Sequence, residues 1–460
     1  MIELGLARIG RLLSHTKLPW RAIHVAGTNG KGSICAYASA MLRAGGIRCG
    51  RFTSPHLIDR WDCITIDEVT VAESLFREVE KEVQARNEKD AIGASEFEVL
   101  TATAFEIFTR ENIELGVVEV GLGGRLDATN ILENPLVTVI SKIGQDHQSF
   151  LGNTLEQIAW QKAGILKPGV PCVVDGTNQS VVLDVVRGVA SEVKAGSVFA
   201  VEDTAHTTEA GDAGNGEHVG GAGNAGSEGN VRVVVGNAGN AGNAKSFSSR
   251  VWEHLPQTDF EDHQRMNILC SFQAFILALK AIRPNLDPWH LLPAVARAQW
   301  PGRLQRINIE SLTGRSEDVL LDGAHNAQSA DALGAYVNKR LRQRQTAESQ
   351  PGPVTWVLSL SKGKDVLEIL RPLIRDGDSV AAVMFGPVDG MPWVKPALPA
   401  DILEGLDALG LHNVQKYDGN DDILGTLKWA SQSAQQRPLV VAGSLYLVSS
   451  MLRLLRERSI

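Results

Sequence analysis

The sequence predicts an α/β protein of two domains, each built on a mostly parallel β-sheet. Three observations carry this. Apolar runs of strand length alternate with helical patterns through residues 22–175, and the alternation restarts at residue 319. Leu115-Gly116-Val117-Val118-Glu119-Val120 is apolar almost throughout, as a strand buried on both faces of a parallel sheet reads. At 460 residues the chain is long enough for two or three domains.

Residues 3–14 place Leu4, Ile9, Leu12 and Leu13 at helical spacing. Ala22-Ile23-His24-Val25-Ala26 is a strand that runs into Gly27-Thr28-Asn29-Gly30-Lys31-Gly32-Ser33, and an Ala-rich helical pattern follows from Ile34 to Arg43. Strand, glycine-rich turn and helix start together cradle phosphate. Glycines let successive N–H groups turn inward, and the helix N-terminus adds positive potential. Lys31 would reach the outer phosphates, so the first domain is read as P-loop-type. The strict Walker A form has a glycine six residues before the lysine and Ser or Thr directly after it. Here Val25 occupies the first place, and Gly32 separates Lys31 from Ser33.

A strand over 47–53 ends in Ser54-Pro55-His56-Leu57, and residues 72–89 form a charged helix. Glu96-Phe97-Glu98 opens a helix to residue 109. The Leu115 strand is followed by Gly121-Leu122-Gly123-Gly124-Arg125-Leu126-Asp127-Ala128-Thr129-Asn130. The next strand, 136–143, leads into Gln145-Asp146-His147. A helix over 154–164 carries Lys162, and 171–175 is a further strand. Residues 204–249 are dominated by Gly, Asn, Ala and Ser. Such a tract buries too little apolar surface to offset its ordering entropy. It reads as a flexible insertion around a short strand at 231–235, with order resuming by Phe260.

Arg265-Met266-Asn267 begins a long helix to residue 282, and Trp300-Pro301-Gly302-Arg303 reads as a hinge. The boundary expected there divides the chain into domains 1–300 and 301–460. The second, smaller domain is α/β and Rossmann-like. Val319-Leu320-Leu321 runs into Asp322-Gly323-Ala324-His325-Asn326, and a helix follows to residue 342. Residues 340–350 form a solvated helix end and loop. Strands are expected over 354–360, 380–385 and 439–442, and a final helix over 446–456.

A formal net charge of −8 argues against a nucleic-acid or anionic-membrane partner. Five dispersed cysteines without a CxxC pair fit a reducing compartment. No apolar run of about 18 residues stands out as a membrane span. The N-terminal residues resemble neither a signal peptide nor an Arg/Ser-rich transit sequence. The expected location is the cytosol, with mitochondria as the alternative.

Lys31, Ser54, Glu119 and His147 lie on or just after strands of the first domain, where open α/β sheets bind ligands. A buried carboxylate such as Glu119 needs a metal or a salt bridge, to Arg125 or Lys31. With Ser54 and His147 it makes a plausible hard-cation site around ATP-bound Mg²⁺. Lys162 falls inside an Ala/Gly-flanked helical segment that follows a strand, and taken alone it reads as a surface lysine. Arg303 would point a guanidinium across the domain cleft, or serve as a brace.

Gly27 to Ser33, Thr53-Ser54-Pro55-His56-Leu57, Glu119 to Asn130, Asp146-His147, Lys162-Ala163-Gly164-Ile165, Pro301-Gly302-Arg303 and Asp322 to Asn326 occur in this order. Together they resemble the folylpolyglutamate synthase/dihydrofolate synthase branch of the Mur ligase family, over nearly the whole chain except the insertion. Ile2-Glu3-Leu4-Gly5-Leu6, residues 146–154, Met391-Pro392-Trp393 and Gly443-Ser444-Leu445-Tyr446 look like its fungal members.

The resemblance implies ATP-dependent joining of L-glutamate to 7,8-dihydropteroate through an acyl phosphate. Thr28, Asn29, Gly30, Lys31, Gly32, Ser33, Asn267, Arg303 and Asp322 match nucleotide contacts. Ser54, Glu119 and His147 match metal ligands. Lys31, Lys162 and His325 match catalytic residues, and the lysine matching Lys162 is carbamylated in the family. Glu96, Phe97, Glu98, Leu126, Asp127 and Ala128 would lie against the pterin. The implied cofactors are ATP and Mg²⁺, as two ions, with a monovalent cation as a further candidate. The implied partners are these small molecules, with no nucleic acid, no membrane and a monomeric chain. Folylpolyglutamate synthase, adding glutamate to tetrahydrofolate, is the alternative activity. A catalytically silent ATP-binding regulator is opposed by the joint presence of Lys31, Glu119, His147 and Lys162.

Loop-closure entropy grows slowly with length, so deleting residues 206–243 is expected to leave solubility and turnover near those of the full chain. Insoluble protein, or a large loss of turnover, would contradict the reading of the tract as a tolerated expansion.

Overall fold

The computed structural model describes residues 5–204, 233–235, 245–255, 259–298, 300–342 and 352–458. The chain divides into two compact units, Met1–Pro55 with Cys63–Gln299, and His56–Asp62 with Trp300–Ile460.

In the first unit the strands are β1 Arg21–Ala26, β2 Cys49–Phe52, β3 Ile64–Ile66, β4 Val69–Thr70, β5 Leu115–Glu119, β6 Val137–Ile140, β7 Cys172–Asp175, β8 Val198–Val201 and β9 Val233–Val235. Among the described residues they form one sheet, in the order β4-β3-β2-β5-β1-β6-β7-β8-β9. It is parallel from β2 to β9, and β3 and β4 add an antiparallel edge. Val25 pairs with Glu119 and Ala26 with Ile140. The register therefore brings the carboxyl ends of β5, β1 and β6 level with one another.

Side chains alternate across a strand. Ile23 and Val25 join Ile34, Met41 and Leu42 in one core cluster, on the face covered by the helices Lys31–Ala44 and Asp262–Ile282. The helices Leu155–Ala163 and Ser180–Glu192 fill the other face with Ile158, Val182 and Val186. Ser95 and Glu98 form a capping box for the helix Glu96–Arg110, as Thr154 and Gln157 do for Leu155–Ala163. Each such cap stabilises its helix by about 1 kcal/mol. The helix Asp262–Ile282 is, by length and composition, apolar enough to cross a membrane. Here Ile268, Leu269, Phe272, Phe275 and Leu279 are buried in the core, so its apolarity serves packing.

The central strands come out shorter than their apolar runs because pairing stops where each chain turns into its loop. β8, β3 and β4 were not expected. β3 and β4 are only three and two residues long and β4 is exposed, so no apolar run announces them, whereas the apolar residues of β8 pair with β7 just before the Gly/Asn-rich tract. β9 lies parallel to β8, and a helix at Phe247–His254 follows Ser246, whose hydroxyl accepts from the Ser249 N–H. Regular structure thus returns well before residue 260. Residues 205–232 and 236–244 of the insertion, which include the first two residues of the expected strand, and residues 343–350 lie outside the described residues. So do residues 1–4, and the expected N-terminal helix spans Ala7–Leu12.

The second unit carries β10 Gln305–Ile307, β11 Val319–Leu321, β12 Thr355–Leu358, β13 Ser379–Ala382, β14 Gln415–Asp418 and β15 Leu439–Ala442. Among the described residues their order is β10-β11-β15-β12-β13-β14, parallel except for β10. The excursion His56–Asp62 belongs to this unit, which a contiguous division at residue 300 cannot express. Asp62 accepts from the N–H groups of Leu57, Ile58 and Asp59. Arg453 donates to the Ile58 carbonyl, and Arg456 pairs with Asp59.

A buried ion pair anchors the second unit, and it takes Arg342 out of the solvated helix end expected from residue 340. Asp378 has no exposure. It accepts a bidentate pair from Arg342 at 2.7 and 2.6 Å, the Trp356 indole N–H at 3.1 Å, and the N–H groups of Val354 and Arg375. Removing one partner leaves the other charge buried alone. Arg342→Met is therefore expected to destabilise this unit by about 3–5 kcal/mol, read as an earlier urea unfolding transition. A midpoint unchanged from wild type would show that the pair is dispensable.

Candidate active site

The glycine-rich turn depends on two close approaches. Gly27 has φ 153°, and a Cβ there would lie 1.8 Å from Ser141 Oγ. Gly30 has φ 89°, and a Cβ would lie 2.2 Å from Asn267 Oδ1. Only glycine lets the backbone pass so near β6 and the long helix. The N–H groups of Thr28 and Asn29 both donate to the Lys142 carbonyl, at 2.9 and 3.1 Å. Ser141 Oγ donates to the Asn29 carbonyl at 2.7 Å, and Thr28 Oγ1 to that of Gly144 at 3.0 Å. Thr28 and Asn29 thus shape the turn. The first bond of the helix ladder is Ile34 N–H to the Gly30 carbonyl, so the N–H groups of the helix start precede the ladder and suit an anion.

Lys31 folds over the turn. Its Nζ is 3.2 Å from the Thr28 carbonyl and 3.6 Å from Glu119 Oε1. Glu119, buried at the end of β5, also accepts from the Ser54 N–H at 3.4 Å. Of the partners weighed for Glu119, the structure supplies Lys31. Lys162 is buried as well, with Nζ donating to the Gly27 carbonyl at 2.7 Å. This overturns the surface reading of Lys162: the helix Leu155–Ala163 turns that face onto the Gly-rich turn. Burial, then the positive charge of Lys31, push its ammonium down to about 7, against the pull of Asp146 and Asp127. Lys31, Ser54, Glu119 and Lys162 are thereby gathered around one turn. His147 is exposed on the turn after β6, with φ 52°, at the head of the short helix Gln148–Leu151.

Among the described residues, no three His, Cys, Asp or Glu side chains gather to hold a metal ion. The donors present are nevertheless of the right chemistry. A carboxylate and a neighbouring serine beside a phosphate cradle suit a hard divalent cation, whose remaining positions go to phosphate oxygens and water.

The loop at 121–127 packs on the end of the helix Leu155–Ala163. Arg125 N–H donates to the Gln161 carbonyl at 2.8 Å, and its guanidinium lies 3.8 Å from the Trp160 ring centre. Phe97 stacks near Phe52 with ring centres 6.2 Å apart. Its ring fills the space where a Gly121 side chain would be. Leu126 is 41% exposed, while Asp127 and Ala128 are buried. Glu98 is buried against Arg8 at 2.9 Å besides capping its helix, whereas Glu96 is exposed.

In the second unit both Asp322 oxygens accept backbone N–H groups, from Leu304 at 2.9 Å and Ala324 at 2.8 Å. The Arg303 guanidinium lies across Gly323, 2.4 Å from where a Cβ would stand. His325 Nδ1 is 2.9 Å from the Gly323 carbonyl. A carbonyl only accepts, so Nδ1 carries the proton in this contact. Sequence reasoning missed Ser141, the Lys142 carbonyl and Thr129, which hold the loops. A serine after a strand carries no local signal.

Helix-start N–H groups, a lysine and a carboxylate at the carboxyl edge of a parallel sheet define an α/β protein that handles phosphate groups. The model of a family described as "Dihydrofolate synthetase, C-terminal domain" matches residues 305–454. The chain is 36% identical over 459 residues to the "Probable dihydrofolate synthetase" of Schizosaccharomyces pombe, covering 99% of each chain. It is 34% identical over 463 residues to the dihydrofolate synthetase of Saccharomyces cerevisiae, covering 98% of each. The fold matches the bifunctional folylpolyglutamate synthase/dihydrofolate synthase of Yersinia pestis complexed with AMPPNP and Mn, with TM-score 0.72 and 23% identity over 99% of this chain and 94% of that one. The chain belongs to the folylpolyglutamate synthase/dihydrofolate synthase branch of the Mur ligase family, and it is a ligase.

The Lys162 ammonium has an ordinary value of 10.5 and falls to about 7 in the fold. Between those values the unfolded chain binds more protons, so stability rises with pH across the window. In metal-free protein, the melting temperature of wild type is expected to climb relative to Lys162→Met from about pH 7 to pH 10. A difference that is flat, or falls, across a pH series would refute the assignment.

Proposed function

We propose that this chain is a dihydrofolate synthase, joining L-glutamate to 7,8-dihydropteroate with ATP and releasing 7,8-dihydrofolate, ADP and phosphate. The end-to-end similarity to two fungal dihydrofolate synthetases carries this reading, and the phosphate cradle supports it. The pteroate carboxylate attacks the γ-phosphorus, the bond to ADP breaks, and an acyl phosphate forms. The glutamate amine then attacks the carbonyl carbon, loses a proton, and expels phosphate.

The N–H groups at the helix start and the Lys31 ammonium hold the phosphates against developing negative charge. Thr28, Asn29, Gly30, Gly32 and Ser33 set the backbone for this, and Asn267 packs against Gly30. Glu119 and Ser54, with His147, would hold Mg²⁺, which when bound neutralises phosphate charge. Two ions, and a monovalent cation beside them, are part of the proposal. Phe97, Leu126 and Ala128, with Glu96, Glu98 and Asp127, form the pterin side. Arg303, Asp322 and His325 are the second unit's candidates for nucleotide and glutamate contacts. We assign the chain to the cytosol as a monomer, and its five buried free thiols fit a reducing compartment.

Lys162 acts as a carbamate. Its neutral amine adds to CO₂, losing a proton, and the product is an anion beside the cation site. The lowered ammonium value leaves amine available for this. Arginine stays protonated and forms no such adduct under ordinary conditions. Lys162→Arg is therefore expected to lose about 10²–10³ in kcat while the protein stays folded. Near-wild-type turnover would sink the carbamate assignment. The activity itself is tested by glutamate-dependent ADP release with dihydropteroate against tetrahydrofolate as acceptor. Preference for tetrahydrofolate would make the chain a folylpolyglutamate synthase, and release with neither would overturn the reading.

A further inference from the structure

A buried polar chain runs from the middle of the first sheet to Asp127 in the loop at 121–127, and the reaction steps above give its inner members, His24 and Thr129, no role. His24 lies in β1 between Ile23 and Val25, on the face opposite their core cluster, and has no exposure. Thr129 has none either, and Asp127 has 1%. Thr129 Oγ1 is 2.5 Å from Asp127 Oδ1 and 2.9 Å from His24 Nε2. The Thr129 N–H donates to Asp127 Oδ1 at 3.0 Å, and the Leu122 N–H to Oδ2 at 2.8 Å.

These contacts fix the protons. Burial pushes the Asp127 carboxyl above its ordinary value, but the Thr129 hydroxyl and the N–H groups of Leu122 and Thr129 are donors aimed at its two oxygens and favour the carboxylate, which only accepts. The Thr129 hydroxyl therefore donates to Asp127 and offers His24 a lone pair. His24 carries its ring proton on Nε2, and Nδ1 is left buried without a hydrogen-bond partner. Burial, with Lys167 nearby, keeps the ring neutral by pushing it down to about 3. An orphaned buried acceptor costs stability. An apolar residue, as at the flanking positions 23 and 25, would remove that cost.

The chain ends on a loop whose backbone is held at several points. Asp127 clasps Leu122 across the loop. Asn130 Nδ2 donates to the carbonyls of Arg125 and Gly164 on the other side. Between these ties Leu126 projects, 41% exposed. An apolar side chain carried into solvent by a fixed backbone suits contact with an apolar ligand surface.

We propose that His24 is a positioning residue for the pteroyl acceptor: through Thr129 and Asp127 it sets the 121–127 loop in the shape that presents Leu126. This rests on the function proposed above. His24 touches no substrate. Its contribution is the hydrogen bond that orients the Thr129 hydroxyl, and so the carboxylate that closes the loop.

The test compares wild type with His24→Leu, His24→Asn and His24→Gln in ADP release, thermal unfolding and hydrogen exchange. His24→Leu should raise KM for the pteroyl acceptor about tenfold, the scale of one hydrogen bond. KM for ATP should stay within about twofold, and Tm should hold or rise as the orphaned acceptor disappears. His24→Asn, too short to reach Thr129, should share the KM defect. His24→Gln returns an N–H donor and should restore KM to within about threefold. Exchange at 121–127 should quicken in His24→Leu, while 27–33 stays as in wild type. A fall in Tm with acceptor KM unmoved, an equal rise in both KM values, or no rescue by glutamine would overturn the proposal. If His24→Leu does not fold, His24→Asn and His24→Gln decide by the same split. Wild type inactive with either acceptor would refute the reading of function instead, and the exchange comparison would still show whether His24 governs the loop.

Discussion

The passage of the backbone at Gly27 and Gly30 is the constraint on which the site depends. Ser141 Oγ and Asn267 Oδ1 occupy the space where side chains at these positions would stand. The turn can therefore lie against the exit of β6 and the helix Asp262–Ile282, with its carbonyls on Ser141 and Lys162 and two of its N–H groups on Lys142. Once the turn is pinned there, the start of the helix Lys31–Ala44 faces outward at the carboxyl edge of the sheet. β5, paired with β1 in register, brings Glu119 beside Lys31.

The two units treat buried charge differently. Asp378 is met by a bidentate arginine, an indole N–H and two backbone N–H groups. Such a fully partnered pair serves structure. Around the Gly-rich turn the accounts do not close so well. Among the described residues the Lys162 ammonium donates to the Gly27 carbonyl alone, and it is pushed toward neutrality by burial and by Lys31. Lys31 meets Glu119 only at 3.6 Å. A lysine held away from its ordinary titration, at a loop edge of a parallel sheet, is what a reaction site requires and what a purely structural site avoids. His24 follows the same pattern one layer deeper, where a polar side chain replaces an apolar one in a central strand.

Much of the architecture was legible in the chain. The Gly27 to Ser33 turn, the apolar run ending at Glu119 and the Asp322-Gly323 turn are local signals, set by glycine chemistry and strand periodicity. The cost of a lone buried carboxylate called for a metal or a partner at Glu119, with Arg125 and Lys31 both open, and the fold supplies Lys31. The exposed edge strands left little trace, because β4 and β14 bury few of their side chains. The excursion His56–Asp62 into the second unit was invisible, since its membership rests on Arg453 and Arg456, far along the chain.

By itself the sequence determined the alternation of strands and helices, the phosphate-binding turn and the motifs that place the chain in its family. Each arises from residues near one another along the chain, where sterics and hydrophobic period act directly. Only the tertiary structure decided that Lys162 is buried under Gly27, 135 positions away. It likewise decided that the amides of Thr28 and Asn29 face Lys142, and that His24 and Asp127 share one hydroxyl. Strand pairing and helix packing create those distances, and no local pattern encodes which distant carbonyl or carboxylate a buried polar group will meet.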